Sequence, residues 1–461
     1  MGKNIVIYSD GTGQRSGLFL DENRSNIYKL YRATRCGPDN DVNPAEQLTF
    51  YDPGIGTSPI GENFLLRLYR RVYNVVSQAT GLGLTSNVID CYAAIIRMWE
   101  PGDRIFLFGF SRGAYTVRCL GGVLAFCGVP TQMPNGRPVR RDQKTSKAIA
   151  KEAVMNVYQH TASVHPDKAS PREKELLEQR KLLASRFRKK YGSGDENEPT
   201  EAPYFVGVFD TVASLANPIV VVALGIIGLL LIAGLAYLLS IWFLSWLSWM
   251  GILAGAAFLF FGGWYARTHF KMPGTLPGHP WWKTFTHTEM LMNFYDNRLS
   301  PRVKYARHAI SIDEDRKTFQ RVGWGTKGVP NVPDENGIYW FEQYWFAGNH
   351  SDIGGSYPEN DARLSDIALQ WMLDAAVSAG LKYDPRYMHL YPDPAGPQHD
   401  ERRSLVFRYA GVKARDIVPN ATLHESVLKR FEAPAVLHYD IMKPYRPISL
   451  HEHEKVRHWY A

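Results

Sequence analysis

The stretch Arg104-Ile105-Phe106-Leu107-Phe108-Gly109-Phe110-Ser111-Arg112-Gly113-Ala114 decides how this chain is read. Residues 104–108 follow the turn Pro101-Gly102-Asp103 and form the short apolar run of a buried strand. From Ala114 to Phe126 the composition is that of a mostly apolar helix. Between them, Gly109-Phe110-Ser111-Arg112-Gly113 fits Gly-x-Ser-x-Gly. Strand, sharp turn and helix together are the setting of a nucleophile elbow. The glycines flank Ser111 because a Cβ would clash in so tight a turn. The turn lifts the hydroxyl clear of the sheet edge, and the helix N-terminus behind it favours developing negative charge.

Outward from this stretch, strands and helices alternate. Asn4 to Ser9, Leu48 to Tyr51, Tyr204 to Phe209, His308 to Ile312 and Tyr339 to Phe346 read as strands. Thr85 to Trp99 and Leu364 to Ala379 read as helices. The pattern predicts an α/β fold: a mostly parallel, α/β-hydrolase-like sheet with helices on both faces. Residues 1–130 form its N-terminal half. Residues 131–203 are polar, with helical runs at 142–160 and 171–191, and read as an inserted helical cap. Residues 204–217 carry a further strand, 218–266 a two-helix hairpin, and 267–461 the C-terminal half with its extension.

Ligands of such sheets sit at the carboxyl ends of the strands. Asp10, Ser111, Asp210 and His350 each end an apolar strand. A hydroxyl nucleophile needs a base, and the base needs a carboxylate to fix its tautomer. The order Ser111, Asp210, His350 suits that arrangement, with Asp313 as the alternative acid. Asp352, two residues from His350, is too near in sequence to face the same ring from behind. The oxyanion donors expected are the N–H of Arg112 and one from Gly11 or Thr12. Asp10-Gly11-Thr12 also suggests a phosphatase aspartate loop, but Tyr8 stands where that nucleophile would be. His451-Glu452-His453-Glu454 reads as an exposed charged tail rather than a metal site.

Composition sets bounds. The chain has 461 residues, a net charge of +8, 45% hydrophobic residues and four cysteines without a CxxC pair. No disulfide framework, metal site, cofactor or nucleic-acid module is expected. Cys119 and Cys127 read as small core residues. The run Arg186-Phe187-Arg188-Lys189-Lys190 reads as a solvated helix face, with contact to anionic lipid as the alternative.

Thr211 to Ala266 contains no charged residue. Ile219–Leu239 and Leu247–Ala266 are each long enough to cross a bilayer, which takes about 20 apolar residues. Aromatics at Trp242, Phe243 and Trp246 suit a headgroup interface, and Arg267, Lys271 and Lys283 follow the second span. Basic residues on both flanks predict a transmembrane hairpin with the catalytic part on the cytoplasmic side of a bacterial inner membrane. A re-entrant hairpin and a buried helical pair are the alternatives.

The chain resembles the DUF2235 family, an α/β-hydrolase group that includes type VI secretion phospholipase effectors. The segments that carry the resemblance are 8–13, 51–57, 108–114, 207–212, 299–301, 308–314 and 345–355, among them Tyr51-Asp52-Pro53-Gly54-Ile55-Gly56-Thr57 and Asn349-His350-Ser351-Asp352-Ile353-Gly354-Gly355. The resemblance implies a serine esterase with Ser111, Asp210 and His350 as its triad, acting on phospholipid or another acyl ester. With the hairpin, membrane lipid is the expected partner, and the oligomeric state is left open. The hairpin after Asp210 departs from a soluble exported toxin and favours a membrane-anchored enzyme. A secreted effector and a catalytically silent membrane scaffold are the competing expectations.

Overall fold

Every strand of the central sheet runs in the same direction. The computed structural model describes residues 2–11, 23–53, 82–160, 169–212, 218–287, 299–317, 319–325, 331–403 and 411–460. Its main strands are β1 (Asn4–Ser9), β2 (Gln47–Asp52), β3 (Arg104–Phe110), β4 (Phe205–Phe209), β5 (Tyr305–Ser311) and β6 (Phe341–Phe346). They pair in the order β2-β1-β3-β4-β5-β6, all parallel. The expected α/β architecture is therefore present.

A parallel sheet must be covered on both faces. Side chains alternate along each strand, so β1 sends Ile5 and Ile7 one way and Val6 and Tyr8 the other. On the first face lie α2 (Leu82–Met98) and α3 (Arg112–Cys127). On the second lie α1 (Asn26–Thr34) and α9 (Arg363–Ser378). The chain reverses its direction of growth between β1 and β3, and the crevice at their carboxyl ends is the topological switch point. Asp10–Gly11 follow β1 there, and Ser111 follows β3.

The polar region 131–203 contains α4 (Gln143–Glu152), a π-helical turn (Ala153–Tyr158) and α5 (Pro171–Tyr191). Ser170 and Glu173 form a capping box, Pro171 opens α5, and left-handed Gly192 closes it, which fixes both ends. Ile149, Val154, Leu183 and Phe187 join the same core as α2 and α3. The basic run is only partly solvated: Arg186, Lys189 and Lys190 are exposed, but Phe187 and Arg188 are buried. Arg188 donates to the carbonyls of Phe126, Asp195 and Glu196, ending the loops around α5.

After Val212 come α6 (Pro218–Ser240) and α7 (Trp246–His269), packed on each other as a hairpin. Their large apolar side chains face outward: Leu231 is 69% exposed, Trp242 78% and Phe258 76%. Within α7, Trp246–Arg267 is long and apolar enough to cross a membrane, while the apolar stretch of α6, Gly225–Ser240, is shorter. Beyond the hairpin, Lys271 Nζ donates to Met155 O and Gln159 Oε1, and Arg186 to Thr275 O. The returning chain thus lies on α5 and the π-helical turn.

The short helix α8 (His350–Gly354) follows β6. The C-terminal residues, including α10 (Glu425–Glu432), are not a tail. Val427, Phe431, Tyr445, Leu450 and Val456 pack under Ile310, Ile312 and Trp345. His453 is buried and its Nε2 meets Ala421 O at 2.8 Å, so the expectation of an exposed charged tail holds for His451 and Glu452 but not for His453. Among the described residues no group of His, Cys, Asp or Glu is placed to hold a metal ion.

Candidate active site

Ser111 joins β3 to α3 with φ 58° and ψ −120°, a conformation costly for a residue with a Cβ. The two glycines explain how the chain accepts it. A Cβ on Gly113 would lie 1.9 Å from Ser9 O, and one on Gly109 would lie 2.4 Å from Gly113 O. Strand end, loop and helix therefore touch backbone to backbone. The Ser111 N–H donates to Phe209 O at 3.1 Å, which ties the elbow to the end of β4. Arg112 is the first residue of α3, so its N–H has no acceptor within the helix.

Gly11 lies beside this turn, since a Cβ there would sit 3.3 Å from Ser111 Cβ. Its N–H donates to Asp10 Oδ1 at 2.7 Å and is already engaged. Thr12 lies outside the described residues. Asp10 Oδ2 accepts from Ser25 Oγ and, at 2.8 Å, from Tyr51 Oη. Burial pushes the Asp10 carboxyl up to about 6, against the pull of these donors.

Asp210 follows β4 with φ 34° and is fully buried. Its Oδ2 lies 2.6 Å from His350 Nδ1. Ser311 N–H donates to Oδ1 at 3.1 Å, and Arg415 spans both oxygens at 3.1 and 2.9 Å. Burial alone would raise this carboxyl, but Arg415 and His350 outweigh it and hold it well below the usual carboxylate range. The acid is thus fixed as an anion with four donors around it.

His350 opens α8, whose N-cap Asn349 and Asp352 form a reciprocal capping box. The His350 N–H donates to Glu314 Oε2 at 3.2 Å. Its ring lies between Phe110 (centroids 4.7 Å apart) and Phe319 (5.1 Å). Gly354 makes room for Phe110: a Cβ there would fall 1.9 Å from the ring. With Nδ1 on Asp210, the other nitrogen, Nε2, is buried and has no hydrogen-bond partner among the described residues. Such an orphan inside a protein calls for an explanation, since Ser111 Oγ is not within hydrogen-bond reach of it in this structure.

The structure pairs Asp210 with His350. Asp313 instead accepts from Gly348 N–H and Tyr445 Oη, each at 2.7 Å, and braces the loop before His350. Asp352 pairs with His399 at 2.7 Å. Sequence reasoning missed Glu314 and Arg415. Arg415 stands in Lys413-Ala414-Arg415-Asp416, a loop without apolar period or motif, so no local signal marks it.

The parallel sheet of this α/β protein thus brings a serine in a strained strand–helix turn and a buried His–Asp pair to one edge. The catalytic domain family of Tle1-like phospholipase effectors of type VI secretion matches residues 3–231 and 273–375, more than half of the chain. The chain belongs to that family. An uncharacterised protein of Saccharomyces cerevisiae, YEL023C, is 33% identical over 133 residues, which are 28% of this chain and 18% of the yeast protein. Among solved structures, an uncharacterised protein from Pseudomonas aeruginosa is 16% identical with a TM-score of 0.37, covering 85% of this chain and 48% of that one. The Tle1 effector bound to the VgrG spike of the type VI system is 15% identical with a TM-score of 0.31, covering 79% and 52%. The chain thus spans about half the length of these solved proteins. The family match skips residues 232–272, which hold most of the hairpin.

Proposed function

We propose that this chain is a membrane-anchored serine hydrolase of phospholipid or a related acyl ester. The observation that carries the reading is the His350–Asp210 pair, whose remaining imidazole nitrogen has no partner among the described residues, in a fold that also strains Ser111 into an elbow. His350 Nε2 takes the Ser111 proton as Oγ attacks the acyl carbonyl. The bond to the leaving alcohol then breaks, and His350 returns the proton to it. Water, deprotonated by the same nitrogen, attacks the acyl-enzyme and releases the acid with Ser111 restored. Asp210 keeps the Nδ1 proton in place and stabilises the imidazolium. Arg112 N–H stabilises the oxyanion, and because Asp10 Oδ1 already holds the Gly11 N–H, Thr12 is the remaining candidate for a second donor.

The hairpin supports the anchoring. The 24 residues of α7 make about 36 Å at 1.5 Å per residue, enough for a hydrocarbon core of about 30 Å, while the apolar stretch of α6, Gly225–Ser240, is shorter. No acidic or basic side chain breaks either apolar span, and basic residues flank the pair. Family membership favours a second reading, an effector that meets its lipid in a rival cell. Growth arrest on expression, relieved by Ser111→Ala, would favour the effector.

The test is labelling of membranes with a fluorophosphonate probe. Wild type should label, and Ser111→Ala and His350→Ala should not. An unlabelled but folded wild type would favour a silent scaffold over an enzyme.

A further inference from the structure

Beside the His–Asp pair lies a small cationic cavity of about 160 Å³. Arg316, Lys317, Phe319, Arg321, Lys413 and Arg415 line it. Two of these also touch the pair: the Phe319 ring packs on His350, and Arg415 grips Asp210. The volume is below the roughly 300–1,000 Å³ of a whole-ligand site, so it suits one small polar group and not an acyl chain.

The charges do not cancel. Arg415 is matched by Asp210, Arg316 by Glu314 at 2.8 Å, and Lys413 loosely by Asp416 at 3.6 Å. Lys317 and Arg321 have no carboxylate within ion-pair distance among the described residues. Arg321 is half-buried, with its guanidinium over the Trp345 ring at 5.1 Å. Burial and the neighbouring Arg415 disfavour its charged form, against the pull of Asp210 and Asp416, and a bound anion would add to that pull. The same residue sits at the hairpin root: Arg321 bridges Val212, and Val322 N–H donates to Thr211 O.

We propose that this cavity binds the phosphodiester of the lipid substrate, with Arg321 and Lys317 as its principal donors. The assignment rests on the hydrolase reading above and adds the residues that would hold the substrate's phosphate. In a glycerophospholipid, the phosphate and the ester carbonyls hang on one glycerol, a few bonds apart. Holding the phosphate one side chain away from His350 would bring a carbonyl to Ser111. Arginine is suited to this task because its planar fork meets phosphate oxygens in pairs.

The test compares kcat/KM on phosphatidylglycerol with kcat/KM on diacylglycerol of the same chains, using the full chain in micelles. The Lys317→Gln/Arg321→Gln variant should lower the ratio about tenfold, the scale of losing one charge-assisted hydrogen bond. Arg321→Lys, which keeps the charge, should recover part of it. An unchanged ratio would overturn the assignment. A second arm needs no turnover: calorimetric titration of the Ser111→Ala protein with sn-glycerol 3-phosphate and with inorganic phosphate. Binding of the glycerol phosphate that the double substitution removes supports the site. Equal binding with and without the substitutions overturns it, as does tight inorganic phosphate binding alongside an unchanged lipid ratio. If wild type cleaves neither lipid, the hydrolase reading fails while the titration still decides the phosphate site.

Discussion

At the scale of single residues, Ser111 reverses the usual ranking of alanine and glycine. A glycine in ordered structure normally costs about 0.5–1 kcal/mol relative to alanine. At φ 58° and ψ −120° the strain on any Cβ, of order 1–3 kcal/mol, outweighs that cost. Ser111→Gly is therefore expected to melt higher than Ser111→Ala, with neither labelled by the probe. Alanine melting higher would show that the elbow is not strained. The glycines at 109 and 113 were legible from the motif alone, because the clash they avoid is local. Arg415 was not legible. It acts across 205 positions of sequence on Asp210, and nothing in its own neighbourhood announces a buried partner.

At the scale of elements, sequence reading located what local chemistry fixes. β1 spans Asn4–Ser9, as its apolar run suggests, and α5 ends where its caps stand. Less of the cap region's role could be read. Its helices look polar in composition, yet a narrow stripe of Ile149, Val154, Leu183 and Phe187 merges with the main core. The hairpin offers an element-scale test. Phe258, near the middle of α7, is 76% exposed and touches little protein. Phe258→Arg should cost about 3 kcal/mol of membrane insertion while leaving the sheet intact. Alkaline extraction of membranes should then release more of the variant than of wild type. Equal retention of both would place that helix outside the hydrocarbon.

At the scale of the whole molecule, the site is closed by chain that lies beyond the family match, which ends at residue 375. Arg415 comes from this region, as does the packing of Val427, Phe431 and Tyr445 under β5 and β6. Losing Arg415 would leave Asp210 as a buried anion short of two donors, at a cost of about 3–5 kcal/mol. The pH dependence follows from the sign of the shift. Asp210 ionises far more readily in the folded chain than in the unfolded one, where carboxyls titrate near 3.9. Its contribution is therefore full above about pH 4 and is lost as pH falls toward the folded value. Arg415→Gln should lower the melting temperature at pH 7 and flatten the decline below pH 4. A variant that melts lower with the same acid slope would show that the arginine acts by packing alone.

Eight positions separate Asp210 from Pro218, the first residue of the hairpin. A leash of that length reaches at most about 28 Å when fully drawn out. With the hairpin in a bilayer, the catalytic edge could neither diffuse into bulk solution nor graze a second vesicle. It would encounter substrate as a two-dimensional fluid. Turnover would then follow the surface mole fraction of ester and would be insensitive to the total lipid added at fixed composition.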